Sequence, residues 1–144
     1  MSPMKRVPLA VLFLIAVALL AAGAAPAMGA GCKLTCVVDV NDPDYGASGE
    51  ASLTKLKFLY ELWGGYRYYE GDLRVTCHGL TPGATYDVSS GGQFTVDASG
   101  NGTNKDPIVV CKGPRGWYMV QVFVSRVDDF YPVVLRGSFY PSGH

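Results

Sequence analysis

Histidine is nearly missing from this chain: of 144 residues two are histidine, and one of them, His144, ends the sequence. The other, His78, directly follows Cys77. In an extended segment successive side chains point to opposite faces, so this pair cannot act as nucleophile and base, and a surface role for His78 is expected. The sequence also lacks H-E-x-x-H, a serine within G-x-S-x-G and a phosphate-cradling glycine loop. Excess charge of either sign is absent, with 12 Lys+Arg against 12 Asp+Glu, which removes any electrostatic reason to expect nucleic acid or an anionic membrane surface as a partner. There is no internal repeat and no low-complexity segment. No set of acid, base and nucleophile can be assembled, so a non-enzymatic protein without a cofactor is expected.

Metal sites are equally thin. Asp97-x-Ser99-x-Asn101-Gly102 matches the start of a calcium loop, but the twelfth position, where a bidentate carboxylate is required, is Ile108, and a hairpin turn is the expectation. The acidic stretch Asp39, Asn41, Asp42, Asp44 with Glu50 nearby would hold calcium only if its carboxylates converged, so a solvated loop is expected there and at Asp128-Asp129. Asn101-Gly102-Thr103 is a glycosylation sequon in a eukaryote and only a turn in a bacterium.

What the sequence does have begins with Lys5 and Arg6 followed by VPLAVLFLIAVALLAAGAA, a run without charge, and then small residues up to Ala30. This is the pattern of a secretory signal peptide over residues 1–30, cleaved between Ala27 and Ala30. An uncleaved membrane anchor over residues 7–25 and lipidation at Cys32 are the alternatives, the second disfavoured by Gly29 where a larger aliphatic is usual. Membrane contact is expected only through this leader, and a secreted, extracytoplasmic location follows. Residues 31–144 then form a single domain with room for one modest core. Without Lys5 and Arg6 the 12 cations fall to ten against 12 carboxylates.

The four cysteines, Cys32, Cys36, Cys77 and Cys111, are an even number in an exported chain, so two disulfides are the default. Three connectivities exist; Cys77 with Cys111 and Cys32 with Cys36 is the preferred one, because the first pair sits in strand-like runs and the second is local. A four-thiolate zinc site is the competing reading, disfavoured by the isolation of Cys77 and Cys111.

Aromatic, β-branched and glycine-rich composition favours an all-β domain. KLTCVVDV places Leu34, Cys36, Val38 and Val40 on one face before NDPDYG breaks it. LTKLKFLYEL is ambiguous: Leu56, Phe58, Tyr60 and Leu62 fit a strand, while Leu53, Leu56, Leu59 or Tyr60, and Trp63 fit a helix, and the strand is preferred for want of an N-cap and a clean polar face. Gly64-Gly65 turns the chain into YRYYEGDLRVTCHGL, with Leu73, Val75 and Cys77 on one side. QFTVD, DPIVVC, WYMVQVFV and PVVLRGSF bring the count to about seven to eight short antiparallel strands, which suggests a sandwich or small barrel.

In GLTPGATYDV, residues 79–88, Pro82-Gly83 turns the chain, Leu80 enters the core, and Tyr86 can lay its ring over the bend while its hydroxyl reaches a backbone group upstream. The segment resembles the L-x-P-x-x-x-Y tyrosine corner of fibronectin type III and related immunoglobulin-like modules. The resemblance covers about ten residues and implies an antiparallel β-sandwich with an adhesive, spacing or binding role. The motif comes late in fibronectin type III domains, whereas here residues 87–144 still follow. FTVDASGNGT is similar to turns of small exported bacterial sandwich domains.

The remaining signal is LYELWGGYRYYEGD, where Tyr60, Trp63, Tyr66, Tyr68 and Tyr69 lie close together. Rings with polar tips suit stacking on sugars or anchoring a protein partner, and they equally make ordinary cross-strand pairs. The expectation is a secreted structural, adhesive or partner-binding module at the cell envelope or outside the cell; the alternative is a carbohydrate-binding or inhibitor-like domain whose contacts are Trp63, Tyr66, Tyr68 and Tyr69. The exposure of those rings discriminates between the two.

Overall fold

The structure, a computed structural model, describes residues 30–141; the expected leader up to residue 29, and His144, lie outside them. Nine strands run in chain order: β1 (Ala30–Cys36), β2 (Ser48–Leu62), β3 (Tyr66–His78), β4 (Thr85–Val88), β5 (Gln93–Thr95), β6 (Gly102–Gly113), β7 (Gly116–Trp117), β8 (Val120–Arg126) and β9 (Val133–Phe139). Among the described residues there is no helix. All pairings are antiparallel, in the order β5-β4-β8-β9-β1-β2-β3-β6-β7, and the sheet curls into a half-barrel around one core. The expected all-β class therefore holds, with one more strand than the upper expectation.

The curl follows from β1, which serves two partners. Its first part, Ala30 to Leu34, pairs with Leu53 to Gly49 of β2. Its end, Thr35 and Cys36, pairs with Arg136 and Leu135 of β9. The strands on either side thereby become two arms whose inner faces meet. One arm supplies Ala51, Leu53, Leu73, Val75 and Cys77; the other supplies Tyr86, Val88, Val122, Val124 and Leu135, all buried in one cluster. Burying a Val or Leu of this kind contributes about 1.5–3 kcal/mol. The close approach of β9 to β1 requires glycine at 137, where a Cβ would stand 2.6 Å from the Lys33 carbonyl oxygen and 2.8 Å from Cys32 Sγ. At the far side of the curl β5 approaches β6 without a ladder: Ser90, in the turn before β5, donates to Asp106 Oδ2 on β6 at 3.0 Å, and the Phe94 ring lies over Gly102.

β2 is a strand throughout, but an irregular one. Its register against β3 shifts between Thr54 and Lys57 and again between Phe58 and Tyr60, and Lys55 takes a positive φ of 59°. Each shift adds a residue that has no opposite number. The three-residue step from Leu53 to Leu56, which mimics a helical period, comes from the first of these bulges.

The disulfide expectation is corrected: Cys32, Cys36, Cys77 and Cys111 are all free. Cys77 lies opposite Gly102 and Cys111 opposite Tyr68, nine residues apart along the same ladder, or about 30 Å at strand rise. Cys32 and Cys36 share β1, where four residues of extended chain separate them by about 13 Å. A disulfide tolerates no more than about 7 Å between Cα atoms, so neither preferred bridge fits this register.

Candidate functional site

The bend at residues 79–88 is built on Thr81-Pro82-Gly83-Ala84. The Ala84 amide donates to the Thr81 carbonyl at 3.1 Å, with Gly83 at φ 81°, a type II turn in which proline presets the first central residue and glycine accepts the positive φ of the second. Pro82 stays exposed while Leu80 and Tyr86 are buried. Tyr86 stacks on Phe94 at 5.7 Å between centroids, and its hydroxyl accepts from the Thr81 amide at 3.1 Å.

That hydroxyl also donates to Asp44 Oδ1 at 2.7 Å, and Asp44 is the centre of the cluster. Its side chain is 0% exposed. Oδ1 further accepts from the Thr81 amide at 2.9 Å and the Thr81 hydroxyl at 2.8 Å, while Oδ2 accepts from Arg126 Nη1 at 2.6 Å. Arg126 in turn donates to both oxygens of Asp42, at 2.9 and 3.1 Å, and through Nε to Asp128 Oδ2 at 2.8 Å. Of the carboxylates in the 39–46 loop, Asp42 and Asp44 converge, and the cation between them is a guanidinium; Asp39 instead accepts from the Asn41 amide at 3.0 Å. The hydrogen bonds from Arg126 hold the Asp42 carboxyl below its ordinary value, as they do Asp128, and the bonds to Asp42 raise Arg126 further. Burial first, and then the hydrogen bond to Asp44, push the Tyr86 phenol up to about 12. A buried carboxylate with four donors and a paired cation is fully satisfied; it locks the 39–46 loop onto the corner and onto the loop after β8.

The second cluster lies at the opposite end, where β2, β3, β6 and β7 run past the core. On β3 the inward positions are Tyr69, Gly71, Leu73, Val75 and Cys77, so Tyr66 and Tyr68 face outward. Outside, Tyr60 and Tyr68 stack across the hairpin at 5.1 Å, and Tyr66 meets Tyr118 edge-on at 6.3 Å. Inside, Tyr69 takes Phe58 at 5.6 Å and Trp117 at 5.0 Å, with Lys112 Nζ 5.4 Å above the Trp117 ring. Trp63 joins neither set: at the Gly64-Gly65 turn it is 97% exposed. Tyr66, Tyr68 and Tyr69 are half-buried, and Phe58, Tyr60, Leu62 and Tyr118 are exposed. The structure thus gathers the four predicted contact residues at one end but on different faces. It adds Phe58, Trp117 and Tyr118; the Trp-Tyr dipeptide following Gly-Pro-Arg-Gly is the sequence signal that could have placed the last two beside the hairpin.

His78 is exposed, its Nδ1 3.1 Å from Asn101 Oδ1 and its Nε2 3.4 Å from Glu50 Oε2; these contacts, the Asn101 one foremost, raise its pKa. Cys77 points into the core, where burial pushes its thiol up to about 12. Asp97 closes its own turn, accepting from the Ser99 and Asn101 amides at 2.8 and 3.0 Å. No helix among the described residues is long and apolar enough to cross a membrane, and these residues contain no group of three or more His, Cys, Asp or Glu side chains placed to hold a metal ion. No family model matches this chain, and neither a curated protein nor a solved structure matches it.

Proposed function

We propose that the chain is a secreted, non-enzymatic β-sandwich module of the immunoglobulin-like kind, acting at the cell envelope or outside the cell by holding a protein or glycan partner against the aromatic end of the β2–β3 hairpin. The observation that carries this reading is the exposure of that end: Trp63 is 97% exposed, beside exposed Phe58, Tyr60, Leu62 and Tyr118. Neighbouring large apolar groups left in water at one end of a domain are a reason to expect a contact there. The stacked pairs fix the rings before any partner arrives, which lowers the ordering cost of binding. The two arms packed on a shared core and the type II turn under Tyr86 support the sandwich description.

The test is paired. Trp63→Ala should leave the unfolding free energy within about 0.5 kcal/mol of the parent, since an exposed side chain away from structural features contributes little. It should also weaken retention on cell-wall material or on an immobilised partner. Loss of stability with unchanged retention would make these rings part of the core and remove the reading.

A further inference from the structure

We infer that the partner at the aromatic end is a second copy of this chain, whose opposite end it fits. This rests on the reading above that the hairpin end is a contact surface, and it names the partner. The two ends of the molecule differ sharply in charge. The turns at the aromatic end, residues 62–66 and 112–118, contain Lys112 and Arg115 and no carboxylate. They lie side by side, since a Cβ on Gly65 would touch Pro114 at 3.8 Å. Just below them Glu61 and Arg67 neutralise one another at 3.4 Å, so Lys112 and Arg115 set the sign of the tip.

The loops at the other end, residues 37–46 and 127–132, contain Asp39, Asp42, Asp44, Asp128 and Asp129 and no Lys or Arg. Arg126 takes up part of that charge through Asp42, Asp44 and Asp128, leaving Asp39 and Asp129 outside its reach. These loops also carry large exposed apolar side chains: Phe130 is 89% exposed, and Val40, Tyr131 and Val127 are exposed in the same loops. They are held in place by the Arg126 network and by the Val37 amide bonded to the Val134 carbonyl at 3.0 Å.

Each end therefore presents an exposed aromatic anchor in a rim of one charge sign, and the signs are opposite. The ends point away from one another along β3, about 40 Å apart at strand rise. A contact between unlike patches on opposite ends is heterologous, does not close on itself and propagates. Trp63 of one copy beside Phe130 of the next supplies apolar burial, and Lys112 and Arg115 facing Asp39 and Asp129 set the orientation.

The experiment measures the mass of the purified protein by light scattering across concentration, at low and at high ionic strength. Association that grows with concentration at low salt and is suppressed by high salt is expected, because exposed charges are screened over about 10 Å at moderate ionic strength. Two variants decide the geometry. Lys112→Glu with Arg115→Glu reverses the tip, and Asp39→Lys with Asp129→Lys reverses the loops. Each alone should weaken association by about a hundredfold, since like charges then face one another, while an equimolar mixture should restore it as alternating copies. Unchanged unfolding midpoints confirm that both variants are folded.

A wild-type protein that stays monomeric throughout, association that ignores salt, or a mixture that does not recover would each overturn the inference. Monomers whose Trp63→Ala variant still loses retention on cell-wall polysaccharide would replace the second copy with a glycan and leave the contact surface standing. Monomers whose Trp63→Ala variant loses nothing would remove both.

Discussion

Replacing Asp44 by asparagine should cost far more than the loss of one charge at a surface. Asp44 accepts four hydrogen bonds, three at Oδ1 from Thr81 and Tyr86 and one at Oδ2 from Arg126. Asparagine keeps the shape and one carbonyl oxygen, but its other terminal atom is a donor. With the amide nitrogen at the Oδ2 position, two donors meet across the 2.6 Å now occupied by the Arg126 bond. Flipped, the nitrogen faces the Thr81 amide at 2.9 Å, again donor against donor. Either way a buried donor is orphaned, at about 1–3 kcal/mol; Arg126 keeps its bonds to Asp42 and Asp128, so its charge stays paired, and that range is the expectation for Asp44→Asn. Urea unfolding should show a lower midpoint with an unchanged m-value, and thermal unfolding a fall on the order of 5–15 °C. The control is Asp42→Asn, on a partly exposed residue whose loss leaves Arg126 bonded to Asp44 and Asp128; it should cost clearly less. A loss below about 1 kcal/mol for Asp44→Asn would refute the assignment of this network as the lock between the two loops and the corner.

Acid should act on the same network. Hydrogen bonds from Arg126 depress Asp42 and Asp128 below the ordinary 3.8, so their contribution is complete above that value and is lost as pH falls through the depressed one; stability followed down this range should drop, and less steeply in Arg126→Met. Alkali should act through Tyr86, whose phenol is pushed from 10.0 up to about 12: the unfolded chain ionises first, so stability should fall as pH climbs between those values, and Tyr86→Phe should lessen that fall while the buried Cys77 thiol, raised from 9.0 to about 12, supplies the remainder. Tyr86→Phe itself should cost about 1.5–3 kcal/mol by urea titration, the range for a hydrogen bond to a charged group, because the Thr81 amide keeps Asp44 as acceptor. Thiol titration under denaturing, non-reducing conditions should read four, the full cysteine count, while in the native protein Cys77 should react last, being buried with its thiol raised to about 12; a reading near zero would restore disulfides and overturn the register of β3 against β6.

Much of the strand pattern was legible because alternation is local. Leu73, Val75 and Cys77 face inward and His78 outward, as period two requires. β1 departs from its sequence pattern: it ends at Cys36, and Val40, aligned in sequence with Leu34 and Cys36, is exposed in the following loop. Alternation records which residues are apolar, not where the partner strand stops. The ambiguity of LTKLKFLYEL had a physical source in the bulges of β2, which insert residues and so imitate another period. The corner was visible from Pro82, Gly83 and Tyr86 because its turn chemistry lies within a few residues. Its charge partner was not, since Asp44 and Arg126 are 82 positions apart and nothing local in either records the other. The cysteines misled for a related reason: their even number gives a compartment-level expectation, whereas bridging depends on a register that only the folded ladder shows.

The strand shared between the two arms also orders events in time. β1 is the first strand of the described chain and β9 the last, and the Thr35 hydroxyl reaches the Arg136 carbonyl across 101 positions. Closing a loop of that length costs about 4 kcal/mol of chain entropy from the length-dependent term alone, far more than the tight β2–β3 hairpin requires. During synthesis from the N-terminus, β1, β2, β3 and β6 are all available before β9 emerges. The far edge of β1, at Thr35 and Cys36, must therefore stay unpaired until the final strand arrives, and the core stays open on that side. Folding of the second arm is then gated by the arrival of β9, which exposes Leu34 and Val75 to chaperones or to neighbouring chains for as long as that strand is delayed.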